Sequence, residues 1–328
     1  TEALFDVVRK LKKQGVTILY VSHRLEEIFQ ICDRASILRD GEYIQTMDIA
    51  NTTRDELIHA MVGRNVSAVA SRLKPSPKTD EVVLSVEHLT NENYNDVSFE
   101  LHKGEILGFS GLMGAGRTEL AMSIFGKSYG TKISGQVFMN GKEVKLNTVQ
   151  EAIKNHLAYV TEDRKGNGLI LSNPIKINTT LANLDAISRH TVIDKDKEYN
   201  VAVDYKKKLN TKCPTVEQNV GNLSGGNQQK VLLAKWMFAD PDILILDEPT
   251  RGIDVGAKYE IYCIINQLVA EGKSVIMISS ELPEILGMCD RIYVMNEGKI
   301  VGELAGSEAT QELIMSKILS AGKKGALA

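Results

Sequence analysis

A chain of 328 residues, 43% hydrophobic and 25% charged, has an ordinary globular composition and room for one full domain plus part of a second. No stretch approaches the ~20 uninterrupted apolar residues of a bilayer span, residues 1–6 carry no signal-peptide pattern, and a net charge of −3 leaves no nucleic-acid footprint. We therefore expect a cytoplasmic chain that meets a membrane only through a partner. Cys32, Cys213, Cys263 and Cys289 lack C-x-x-C spacing and read as reduced, buried packing residues, and the Lys206-Lys207-Lys208 run reads as solvated surface.

From the amino end, residues 15–41 read as an apolar strand at Val16 to Val21, a helix and a hairpin. The same pattern recurs over residues 272–298 at a constant offset of 257. Cys32-Asp33-Arg34 meets Cys289-Asp290-Arg291, and His23 meets Ser280. Two copies of one domain are implied. Thr1 falls opposite Lys258, so the first copy, 1–64, is expected to be a carboxyl-terminal portion, and the chain part of a longer tandem protein. Its strand would lack flanking strands and leave an open edge, making this copy the less stable one. Residues 65–80, rich in proline, serine and charge, read as an exposed linker, and 81–328 as the complete copy.

That copy opens with an alternating strand, Glu81 to Leu89, and Asn140-Gly141 after Gln136 to Met139 suggests an antiparallel edge sheet. Glu105 to Ser110 reads as a strand, Gly111-Leu112-Met113-Gly114-Ala115-Gly116-Arg117-Thr118 as a glycine-rich loop, and Thr118 onward as a helix. Strand, loop and helix make a P-loop, except that Arg117 stands where G-x-x-x-x-G-K-[ST] asks for lysine. Backbone amides there would cradle phosphates, and the Thr118 hydroxyl would ligate Mg²⁺. Helical patterns fill residues 173–220. Leu223-Ser224-Gly225-Gly226-Asn227-Gln228 then opens an apolar helix, its two glycines allowing close approach of a phosphate. Ile243 to Leu246 reads as a buried parallel strand carrying Asp247 and Glu248 to its carboxyl end, where α/β folds bind ligands. Asp247 would hold Mg²⁺ through water, since magnesium prefers oxygen ligands and keeps part of its hydration shell, and Glu248 would activate or position water. A nucleotide-free turn and an ordinary acidic cap are the bland readings of the parts; the three motifs in this order argue for ATP.

These residues resemble the ATP-binding cassette of ABC transporters, and more narrowly the second cassette of the fused ATPases that energise bacterial monosaccharide importers. The Gly111 to Leu120 loop, Thr161-Glu162-Asp163-Arg164-Lys165 and the Leu223 to Lys230 segment carry the resemblance, which covers essentially the whole chain. It implies an α/β P-loop NTPase with a mainly parallel core sheet, an antiparallel edge subdomain and a helical subdomain at about 173–220, preceded by a partial cassette. The implied cofactors are ATP and Mg²⁺. The implied partners are membrane permease subunits and, indirectly, a periplasmic or surface sugar-binding protein, with no nucleic acid, at the cytoplasmic face of the membrane.

The resemblance also assigns residues. Gly111, Gly114, Ala115, Gly116, Arg117, Thr118, Glu162 and Ser280 would bind nucleotide, and Tyr94 would stack on adenine. Leu223 to Gln228 would touch a phosphate held by the facing cassette. His23 and Glu248 would be catalytic. Glu162 replaces the family's usual glutamine and Ser280 its switch histidine, so the site built on Arg117, Asp247 and Glu248 is expected to be degenerate. The site served by His23 and completed by Ser224 to Gly226 is expected to be the hydrolytic one. Two other readings stand beside sugar import: a non-catalytic nucleotide-binding module, and a soluble tandem ATPase acting on ribosomes or nucleic acid.

Overall fold

Apolar runs become strands only where neighbours complete their hydrogen bonds, and the two halves of this chain differ in that respect. The computed structural model describes residues 2–22, 25–39, 42–62, 72 and 76–325. The chain divides into two units, Thr1–Val69 with Asp254–Tyr259, and Ala70–Ile253 with Glu260–Ala328.

The first unit holds α1 (Glu2–Lys13), α2 (Leu25–Ile31), a hairpin of β1 (Arg34–Arg39) and β2 (Glu42–Asp48), and α3 (Arg54–Val62). A small core of Leu25, Ile37, Ile49, Leu57, Ile58 and Ala60 joins α2, the hairpin and α3. The strand expected at Val16 to Val21 does not form: residues 16–22 have no regular structure, with Leu19 93% and Val21 90% exposed. Among the described residues of this unit no strand lies beside them to pair their amides and carbonyls.

The second unit begins with β3 (Val82–Thr90), β4 (Val97–His102), β5 (Ile106–Gly111), α4 (Arg117–Ile124), β6 (Ser134–Met139), β7 (Lys142–Glu143), α5 (Val149–Lys154) and β8 (Leu157–Val160). It continues with α6 (Ile175–Thr180), a two-residue-per-strand hairpin of β9 (Ser188–Arg189) and β10 (Val192–Ile193), α7 (Lys195–Lys208), α8 (Gly225–Phe238) and β11 (Ile243–Asp247). Next come α9 (Val255–Ala270), of which residues from Glu260 belong to this unit, then β12 (Ser274–Ile278), α10 (Leu282–Met288), β13 (Arg291–Asn296), β14 (Lys299–Ala305) and α11 (Gln311–Gly325).

The core sheet has the order β14-β13-β5-β12-β11-β8 and is parallel except for β14, which pairs antiparallel with β13. Every residue of β11 and β12 is buried, as continuous apolar strands of a parallel sheet must be. A second, antiparallel sheet, β4-β3-β6-β7, contains the alternating strand and the Asn140-Gly141 turn, where both residues have positive φ. The carboxyl ends of β5, β11 and β12 lie side by side, which sets the position of a ligand site.

Arg72, inside the segment read as an exposed linker, is instead fastened to the second unit. Its amide donates to the Gly287 carbonyl at 3.0 Å and its guanidinium pairs with Asp290 at 2.9 Å. All four cysteines are free, but only Cys289 is buried; Cys32, Cys213 and Cys263 reach the surface in part, so apolar helical spacing overstated their burial. Among the described residues no helix is long and apolar enough to cross a membrane.

Candidate functional site

The loop after β5 is shaped by two glycines. At Gly111 a Cβ would lie 2.4 Å from the Met295 carbonyl oxygen, so only glycine lets β5 end against β13. Gly116, at φ +91°, turns the chain into α4 and precedes its first residue, Arg117. Ala115 is buried and its amide donates to the Leu112 carbonyl at 3.1 Å, so it shapes the loop and offers no donor, contrary to its expected place among the phosphate-cradling amides. Among the described residues the amides of Gly114, Gly116, Arg117 and Thr118 have no protein acceptor. Unpaired amides at a helix start suit an anion.

The acidic pair faces that loop. Asp247 is fully buried at the end of β11, and its Oδ2 accepts from the Tyr159 hydroxyl at 2.8 Å, while Oδ1 has no hydrogen bond. Burial pushes its carboxyl up from the ordinary value, against the Thr118 and Tyr159 hydroxyls and the Arg117 charge, which favour ionisation. The Tyr159 phenol is raised in turn, by burial and then by the Asp247 charge. A buried oxygen without a partner beside a threonine hydroxyl fits a hard cation with oxygen ligands.

Glu248 sits at φ +48°, a strained conformation for a non-glycine residue, with its amide donating to the Ile278 carbonyl at 2.9 Å. Its Oε2 accepts from the Ser280 hydroxyl at 3.1 Å. Burial raises its carboxyl; Ser280 and Arg117 oppose that rise. The Arg117 guanidinium is turned inward, 9% exposed, and Nη1 donates to the Ser279 carbonyl at 2.9 Å. Burial lowers its pKa, and Glu248 and Asp247 hold it up. The larger fork has thus found a protein acceptor, which a lysine point charge would use less readily.

The remaining expected residues divide. Tyr94 is 2% exposed, packed beneath the loop near Gly116, and offers no face to a purine; its assignment as an adenine platform is corrected. Glu162 is ion-paired with Arg251 in an open pocket of about 300 Å³ that Asp163, Arg164 and Lys165 also line. Ser224 is exposed and precedes α8, with Asn227 Nδ2 donating to its hydroxyl at 3.0 Å. Gly225 lies against Arg164 and the Gly252 carbonyl. Leu223, Gly226 and Gln228 are buried, and Gln228 Nε2 donates to the Leu223 carbonyl at 3.1 Å, closing the turn into α8. His23 lies outside the described residues. Sequence reading missed Tyr159 and Ser279. A polar residue in an otherwise apolar strand and a serine at a strand end were the available signals.

The geometry has counterparts among known proteins. A protein-family profile for the ABC transporter matches residues 94–251, the stretch from Tyr94 through the acidic strand. The chain is 52% identical to the L-arabinose transport ATP-binding protein AraG of Geobacillus stearothermophilus, over 96% of this chain and 63% of that protein. It is 50% identical to the ribose import ATP-binding protein RbsA of Clostridium tetani, over 96% of this chain and 62% of the relative. It is also 50% identical to the xylose import ATP-binding protein XylG of Thermoanaerobacter pseudethanolicus, over 96% and 63%. The chain thus spans less than two thirds of the length of these relatives. Among solved structures, a nucleotide-free ATP-binding cassette from an ABC transporter superposes with a TM-score of 0.61 at 21% identity, covering 73% of this chain and 95% of that one. The ADP conformation of another such cassette gives 0.59 at 20% identity, covering 73% and 97%. With a P-loop, an acidic strand and a Ser-Gly-Gly helix on a cassette fold, residues 94–251 are similar to the ATP-binding cassettes of the ABC transporter family.

Proposed function

We propose that the second unit binds Mg-ATP at the carboxyl ends of β5, β11 and β12 and serves as an energy-coupling part of a bacterial monosaccharide importer. The observation that carries the nucleotide site is the buried, unpaired Oδ1 of Asp247 beside Thr118, opposite the unpaired amides of Gly114, Gly116, Arg117 and Thr118. Bound Mg²⁺ supplies charge neutralisation for the β- and γ-phosphates. Asp247 and Thr118 hold that charge, the loop amides hold the phosphates, and Glu248 positions water.

Import of a sugar is supported by relatives named for arabinose, ribose and xylose. With it come permease subunits, indirect dependence on a sugar-binding protein, and a place at the cytoplasmic face of the membrane. Hydrolysis at this site is slow in our reading. Arg117 is tied to Ser279, and Ser280 cannot carry the positive charge that a histidine brings to a phosphate. The same two residues favour, as second reading, a nucleotide-binding module without turnover. His23, with Ser224 to Gly226 in trans, would serve the hydrolytic site of a complete pair.

Titration of the purified chain with ATP, with and without Mg²⁺, tests the site. Binding in the micromolar to millimolar range is expected, with Asp247→Asn and Thr118→Ala each losing about tenfold of the Mg²⁺-dependent part. No binding by the unaltered chain at millimolar Mg-ATP would end the reading.

A further inference from the structure

Glu284 is a buried carboxylate in α10 that takes no part in the site described above, and three buried hydroxyls donate to it. Its Oε1 accepts from the Tyr262 hydroxyl at 2.5 Å and from the Thr250 hydroxyl. Its Oε2 accepts from the Ser279 hydroxyl at 2.7 Å. All four residues are buried, at 2% exposure or less. A buried carboxylate is costly unless its lone pairs are engaged, and these three donors engage both of its oxygens.

What Ser279 does next connects this network to the chemistry. Its hydroxyl, while donating to Glu284, accepts from the Glu281 amide at 3.0 Å, and its carbonyl accepts from Arg117 at 2.9 Å. The adjacent Ser280 hydroxyl donates to Glu248 at 3.1 Å. Thr250, three residues past Asp247, is held by the other oxygen of the same carboxylate. One buried group therefore grips both chain segments that carry the acidic pair and the switch position.

The first unit supplies an independent second instance. At the offset of 257, Glu27 corresponds to Glu284 and Ser22 to Ser279. There the Ser22 hydroxyl donates to Glu27 Oε2 at 2.8 Å. The residue matching Tyr262 is Phe5, which has no hydroxyl, yet Glu27 still receives a phenol, from Tyr20 at 2.8 Å. The pair forms even though the strand before it does not. A contact that survives the loss of its sheet, with its phenol recruited from a different element, is built locally and around the carboxylate.

We propose that Glu284 is the positioning residue of this nucleotide site, orienting Ser279 so that the 279–280 segment presents its carbonyl to Arg117 and its following hydroxyl to Glu248. The inference rests on the nucleotide reading for its functional consequence and on local geometry alone for its structural one. Arg117, Ser280 and Glu248 face the end of the site where the γ-phosphate would lie, so loss of the pair acts on ATP more than on ADP.

The test uses the full chain with Ser279→Ala, Glu284→Gln and the double substitution, each checked by thermal unfolding. Both single variants are expected to weaken Mg-ATP about tenfold and Mg-ADP less than about threefold, with the double variant no weaker than the worse single. An unchanged ATP-to-ADP ratio in both singles, or additive losses, overturns the inference. Should Glu284→Gln fail to fold, Ser279→Ala retains the carboxylate and decides alone. Amide hydrogen exchange without nucleotide gives a second arm. In Ser279→Ala the Glu281 amide, which loses its acceptor, should exchange at least about tenfold faster while residues 106–111 stay unchanged. If the unaltered chain binds no nucleotide, the functional reading fails by itself, and equal exchange at Glu281 in variant and parent then overturns the positioning role.

Discussion

The chain contains the same helix, apolar segment, helix and hairpin twice, and only one copy has the full structure. In the second unit α9, β12, α10 and the β13–β14 hairpin are complete, and β12 lies buried between β5 and β11. In the first, α1, α2 and the β1–β2 hairpin form, but residues 16–22 do not become a strand. Leu4 of α1 is 52% exposed, whereas its counterpart Ile261 in α9 is fully buried. Helices and a hairpin close their hydrogen bonds within themselves or with a chain neighbour, but a central parallel strand depends entirely on distant segments. The local pattern states what a segment can become; the surrounding sheet decides whether it does.

The largest consequence is in local stability. Amides of β12 should exchange on the order of a thousandfold more slowly than those of residues 16–21, because β12 opens only with the core sheet. Comparable protection in the two segments would remove the contrast. Next in size are matched truncations: Ile276→Ala, inside β12, should cost about 2–5 kcal/mol, and its counterpart Leu19→Ala less than about 0.5 kcal/mol in denaturant unfolding. Similar losses would mean that residues 16–22 are packed in solution.

A smaller effect concerns Asp247, which has no counterpart among the described residues of the first unit. Burial raises its folded-state pKa, so the ionised form costs stability, a cost absent below the ordinary carboxylate pKa and growing as pH rises through the raised one. Asp247→Asn should therefore raise Tm at pH 8, at about 2–4 °C per kcal/mol relieved, and give no gain near pH 3. A gain independent of pH, or a loss at pH 8, would contradict the buried-charge account.

Much of this arrangement was legible in the residues. The P-loop, the acidic strand and the repeat are written in local glycine placement and apolar runs, and β5, β11 and α8 lie close to where those signals put them. Tyr94 was misread because an aromatic in a loop looks the same whether its ring faces solvent or packs beneath a neighbouring loop. Arg117 could be seen to depart from lysine, but its bond to the Ser279 carbonyl joins residues far apart in the chain. The Glu284 network escaped for the same reason, since Thr250, Tyr262 and Ser279 converge only after α9, α10 and β12 have packed. Arg72 shows the converse: within a segment with every mark of a tether, Arg72 pairs with Asp290 and Lys78 with Glu105.

The most direct measurement is hydrogen exchange of the whole chain with and without saturating Mg-ATP. Slowed exchange confined to the loop at 111–118 and to the ends of β11 and β12 at 247–250 and 278–281, with residues 16–22 unaltered, is the predicted result. Nucleotide-dependent protection at 16–22, or none at 111–118, would contradict a nucleotide site assembled by the second unit's complete sheet.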